Sequence, residues 1–339
     1  MNFENTFRAE SVKLGSERES PVHRIVGGSP ETQRRAQAYW KGVADGMMNR
    51  RKEDKNTQEI PPELHESIEK IHVLLVEFLR EYGLEESIEI TPEHTHFINK
   101  ASEDELEKGI LGTYRTYTGE IDILQDLEKG DYWQICRILV HEMIHMQSFQ
   151  SVTAKKWSPD LKDKRVIGDL GDSDNTVFQE RRMGISMMDK SGSQKELLLR
   201  WANEAVTEEL SKRFMHRYAQ KIPIIKEKAK AIKKRRRLNH LKRFDLERAI
   251  IDPMMLDVYS DEFNYKNYRE NFNILVSALY RKDSERNTPK YKTREDVFKL
   301  FSGAMLNGRL LPIARALESL WASNSKQEGM RSYLRAISK

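Results

Sequence analysis

The sequence predicts an α+β fold, a small antiparallel or mixed sheet followed by a buried helix and a mostly helical C-terminal half. Three observations predict it. Between Ile88 and Ile123 the apolar residues fall in short β-type runs, punctuated by Gly109, Gly112 and Gly119. After Asp131 the apolar spacing is helical, apart from an irregular stretch from Thr153 to about Thr176. Strands come first and helices later, without βαβ alternation or an internal repeat, which argues against a doubly wound α/β fold.

Taken in order, residues 1–28 are polar, lack periodicity and end in Gly27-Gly28, so they read as a disordered tail. Ser29-Pro30-Glu31 is a helix start, with serine as cap and proline in the first turn, and that helix extends to about Arg51. The charged run RRKEDKNTQEIPPE then reads as a linker, so 29–60 forms a helix-and-linker unit. Leu64, Ile68, Ile71, Leu75 and Phe78 recur at helical spacing, with Gly83 as the C-terminal cap. Strand-like runs follow at Ile88–Ile90, His96–Ile98, Ile110–Tyr117 and Ile121–Ile123, and later helices are expected over 194–219, 224–250, 266–281, 293–307 and 309–322. The expected division is a core over 61–222 and a helical C-terminal region over 223–339.

The 339 residues are 38% hydrophobic and 33% charged, and no stretch nears the ~18 apolar residues of a membrane span. The N-terminal segment has no apolar signal-peptide core, and Cys136 is the single cysteine, which excludes an internal disulfide framework. A cytoplasmic, reducing location is therefore expected, with no membrane contact. The net charge of +5 is uneven: twelve Lys and Arg lie between Lys221 and Ile250 against Glu227, Asp245 and Glu247, leaving +9 there and −4 elsewhere. This basic helix is expected to be solvated or to make weak contact with nucleic acid or an acidic partner; its densest run, Lys226 to Arg237, lacks interleaved aromatics to stack on bases.

The chemistry concentrates in His141-Glu142-Met143-Ile144-His145. Residues four apart share a helix face, so His141 and His145 can hold one ion between them. Glu142 lies about 100° around the helix, off the ligand line but within reach of a water on the same metal. The helix is apolar almost all round, and two histidines and a carboxylate buried there must be paired or bind something. A third ligand is expected downstream, where Glu204 and Glu208 share a face with Leu197, Trp201 and Met215. Glu204 is expected as the ligand and Glu208 as the acceptor of the far N–H of a ligand histidine, the alternative being an acidic pair on the helix surface.

HEMIH followed by NEAVTEE resembles the gluzincin metallopeptidases, and the short arrangement is similar to the minigluzincins. The likeness covers roughly residues 88–220. It implies a zincin-like fold with an active-site helix, one Zn²⁺ per chain on His141, His145 and Glu204, and Glu142 as general base for peptide-bond hydrolysis. It also implies a peptide or protein substrate lying along an edge strand just before the helix. The spacing from His145 to Glu204 is longer than in thermolysin-like members, and Glu208 stands where they carry aspartate. Two other functions compete: a nucleic-acid-associated protein, or protease of DNA-bound proteins, that uses residues 221–250, and a host-directed effector or toxin protease. His94 and His96 are candidates for a second metal site or for surface histidines, and Tyr114, Tyr117, Tyr268 and Arg269 for cleft residues.

Overall fold

The computed structural model describes residues 12–15, 19–26, 57–98, 111–115, 119–128, 130–156, 166–169, 176–188, 197–239 and 265–321. The expected helix over 29–51, Tyr117 and residues 240–250 of the basic stretch lie outside them. The architecture is mixed α/β, with a small sheet and mostly helical content after it.

Val12–Gly15 (β1) and Glu19–Val26 (β2) form an antiparallel pair within the expected tail. The sequence reading erred here because β2 is tied in by parallel pairing with residues 150–153, a partner more than a hundred residues away. Thr57–Gln58 (β3) lies within the charged linker. Helix α1, Pro62–Arg80, opens on a proline that needs no N–H partner and buries all five predicted apolar residues at 2% exposure or less. Its end matches the glycine cap: Leu84 N bonds Leu79 O at 3.1 Å, Gly83 N bonds Arg80 O at 3.3 Å, and Gly83 has φ +106°.

Thr95–Ile98 (β4), Gly112–Arg115 (β5) and Glu120–Ile123 (β6) complete a four-stranded sheet in the order β3-β4-β6-β5. β4 and β6 are parallel and the other pairs antiparallel, so the sheet is mixed and, among the described residues, β5 is an edge. Ile88–Ile90 pairs with no strand among the described residues; Ile88 instead exchanges both backbone hydrogen bonds with the Gln147 side chain. Helix α2, Tyr132–Gln147, begins where the Asp131 carboxylate accepts from Trp133 N at 3.0 Å and packs on β5 and β6.

The stretch expected to be irregular contains strands. Gln150–Lys156 (β7), Val166–Asp169 (β8), Thr176–Met183 (β9), Ser186–Met188 (β10) and Leu197–Leu198 (β11) join β1 and β2 in a seven-stranded sheet. QSVTAKK and TVFQERRM carry few apolar residues, so their strand character comes from the β7–β9 ladder rather than from a local hydrophobic pattern.

The helices then follow close to expectation: α3 Arg200–Tyr218, α4 Lys226–Asn239, α5 Lys266–Ser284, α6 Arg294–Asn307 and α7 Leu311–Trp321. α3 is wedged between α2 and α5. It is held by Arg213, which bonds Glu209 at 2.9 Å and Glu295 at 2.8 Å while its guanidinium lies 4.1 Å from the Phe298 ring centroid. Each of these partners is buried or half-buried, and Glu209 also pairs with Lys212, so the buried carboxylate is shared between two cations. In α4, Lys228 pairs with Asp131 and Lys230 with Glu227, so part of the basic run is already engaged. No helix among the described residues is long and apolar enough to cross a membrane.

Candidate metal centre

α2 and α3 pack face to face, and the stripe at four-residue spacing on each meets the other. Arg137, His141 and His145 lie on α2; Arg200, Glu204 and Glu208 lie on α3. All but Arg200 are buried. His145 Nε2 stands 3.1 Å from His141 Nε2 and 3.3 Å from Glu204 Oε2, and His141 Nε2 stands 3.4 Å from the same oxygen. These three atoms form a nearly equilateral triangle. Ligands held at about 2.0–2.1 Å in a tetrahedron stand about 3.3–3.4 Å apart, so the triangle has the dimensions of one face of such a site. His141, His145 and Glu204 are the group among the described residues that could hold a metal ion. The donor set alone does not single out zinc.

The neighbouring groups fix the orientation of that face. His141 Nδ1 lies 2.7 Å from Glu208 Oε2. An ionised carboxylate can only accept, so the proton sits on Nδ1 and the Nε2 lone pair is turned toward His145 and Glu204. The other Glu208 oxygen faces Arg137 Nη1 at 3.8 Å. Without a cation the cluster holds a proton instead. Burial depresses the His141 pKa, but hydrogen bonds to Glu204 and Glu208 outweigh that and raise it well above the ordinary value. Burial likewise raises Glu204, yet the two histidines hold its carboxyl below the usual carboxylate range.

Glu142 is off the triangle, as helix geometry requires. Its Oε2 accepts the backbone N–H of Tyr114 on β5 at 2.8 Å. Burial raises its pKa, partly opposed by His141 and His145. β5 comes this close because residue 112 is glycine: an added Cβ there would stand 2.5 Å from Ile138 Cγ2 and 3.2 Å from Glu142 Cγ. Glu142 therefore borders an open cleft of about 310 Å³, floored by the triangle and walled by β5, Met183 and Tyr265.

Tyr265 was missed by the sequence reading, which named Tyr268 and Arg269. It precedes α5 with φ +58° and lays its ring over His141, with centroids 5.8 Å apart and planes 18° apart. Burial, together with the negative charge of Glu204, Glu142 and Glu208, raises its pKa, so the hydroxyl remains a donor at neutral pH. Tyr268 stacks behind Tyr265 at 5.5 Å, and Arg269 turns instead toward Glu209. The available signal was spacing, since Tyr265 lies one turn before Tyr268 and Arg269. Asn203 opens the NEAVTEE run. Its Oδ1 accepts from Ile185 N at 3.1 Å and docks the β9–β10 turn on α3, next to Met183 of the cleft wall.

The remaining candidates fall elsewhere. His94 caps a turn against Thr91 and His96 bonds Glu120 at 3.1 Å, so the two share no site. Cys136 is buried and its thiol is pushed up to about 12, chiefly by that burial. No protein-family model matches the chain, and no curated protein or solved structure matches it.

Proposed function

We propose that this chain is a zinc-dependent metallopeptidase of zincin-like fold. The observation that carries the reading is the triangle of His141, His145 and Glu204, with a buried carboxylate, Glu142, beside it on an open cleft. The three protein donors found among the described residues would leave a tetrahedral ion one open position, the feature of a catalytic site rather than a closed structural one. A zinc ion held there would polarise a scissile carbonyl and make a water acidic enough to lose a proton near neutral pH.

The chain's own residues account for the rest. Glu142, held by Tyr114 N, takes the proton of the attacking water and later delivers it to the leaving amine. Its raised pKa suits a group that must both accept and return a proton. Tyr265 keeps its proton and can donate to the oxygen on which charge develops. Among the described residues β5 is an edge strand along the cleft, so an extended peptide can pair with it by main-chain hydrogen bonds. Glu208 orients His141, and Arg137 steadies Glu208.

Metal analysis of the purified protein beside His141→Ala, with cleavage of an unfolded protein mixture before and after chelation and zinc repletion, tests this reading. About one zinc per wild-type chain and chelator-sensitive cleavage are expected. Metal-free wild type, or cleavage indifferent to chelation, refutes it.

A further inference from the structure

One cation in the cleft has no carboxylate partner among the described residues. Arg137 is buried against Glu208, whereas Arg200 is exposed, lines the cleft, and pairs with no carboxylate among the described residues. Arg200 lies one turn before Glu204 on α3, so it stands about 6 Å along the helix from the metal ligand. An extended peptide rises about 3.3 Å per residue, which brings the guanidinium within roughly two residues of a bond lying over the triangle.

The cleft's charge balance points the same way. Glu142, Glu204 and Glu208 contribute three negative charges; Arg137, Arg200 and a divalent ion contribute four positive ones. Counted over the described residues, the loaded cleft is therefore net positive, and among them the side chain left without an opposite charge is Arg200. A guanidinium matches a carboxylate in shape and charge and is costly to bring against an ammonium.

We infer that Arg200 selects substrate by gripping a carboxylate within about two residues of the scissile bond. The inference rests on the peptidase reading both for its register and for the divalent ion that makes the cleft net positive. That carboxylate is an aspartate or glutamate side chain, or the substrate's C-terminus.

The test uses zinc-loaded Glu142→Gln protein, immobilised and challenged with one peptide pool in three forms: free, C-terminally amidated, and fully methyl-esterified. Retention of the free pool should exceed that of the esterified pool about two- to fivefold, the usual order for one ion pair at an exposed site. Loss on amidation alone identifies the C-terminus; survival of amidation identifies side chains. Adding Arg200→Glu should abolish the preference, Arg200→Lys should keep part of it, and zinc content reports that each variant is folded. Equal retention of free and esterified peptides, or an unchanged preference in Arg200→Glu, overturns the assignment. Wild-type protein that retains acidic peptides yet cleaves none would instead overturn the peptidase reading and leave Arg200 in place.

Discussion

The backbone N–H of Tyr114 donates to Glu142 Oε2 at 2.8 Å, so the strand that borders the cleft also aims its carboxylate. The contact needs β5 and α2 closer than two ordinary side chains permit, and Gly112 supplies that closeness. A buried carboxylate with one fixed partner has few rotamers open to it. It is thereby aimed at the triangle before any substrate arrives.

Gly112→Ala should therefore damage activity more than metal binding. The new methyl collides with Ile138 Cγ2 at 2.5 Å, and β5 must retreat from Glu142. Zinc content should stay near one per chain, because no ligand is touched. A displacement of about 1 Å at a reacting group can cost on the order of 100-fold, so kcat should fall at least tenfold. Unchanged kcat in a correctly folded variant would remove Tyr114 and Gly112 from the mechanism.

The ligand assignment makes a graded forecast. His141→Ala and His145→Ala should lose the ion, and Glu204→Ala should lose most of its affinity, since each removes one corner of the triangle. Glu208→Ala keeps all three corners but frees His141 to rotate, so affinity should weaken roughly 10- to 100-fold. Competition with a metal-sensitive dye measures all four. Wild-type affinity in Glu204→Ala would mean that another carboxylate is the third ligand.

What was legible in the sequence was what helical periodicity encodes. His141 and His145 share a face at spacing four, Glu204 and Glu208 do likewise, and the convergence of those faces follows from both helices being buried. Strands β5 and β6 were legible because β-branched and aromatic residues fall there in short runs punctuated by glycine. The seven-stranded sheet was not, because β7 and β9 are polar and gain their order from partners far along the chain. Tyr265 was hidden for a related reason: its contact with His141 spans more than a hundred residues, and its left-handed backbone leaves no compositional mark.

Removing the ion should reverse how stability responds to pH. In the metal-free protein His141 has a raised pKa, so its contribution is fully present below about 6.5 and is lost as pH rises through the higher folded value. Glu204 has a lowered pKa, so its contribution is present above about 4.5 and is lost as pH falls further. The chelated protein should thus be most stable between these limits. Zinc competes with the proton on His141, so the increase in melting temperature on adding zinc should grow from pH 5.5 to pH 8. Thermal melts with and without chelator measure this, and a zinc effect independent of pH would contradict the shared proton site.

Glu142→Gln separates a catalytic ion from a structural one. Glutamine keeps the size of the side chain, and its amide oxygen can still accept from Tyr114 N, so β5 and α2 should stay in register. The change removes a buried charge rather than a ligand, so zinc content should remain about one per chain. What is lost is the oxygen that takes the water's proton. Peptidase activity should fall by about two to four orders of magnitude, the usual contribution of a positioned general base. A closed structural site makes the opposite forecast, because it binds no reactive water and has no use for a base. Cleavage of an unfolded protein mixture, scored by the appearance of new N-termini, avoids any assumption about sequence preference. A zinc-loaded Glu142→Gln protein that cleaves at the wild-type rate would show that Glu142 takes no part in the chemistry.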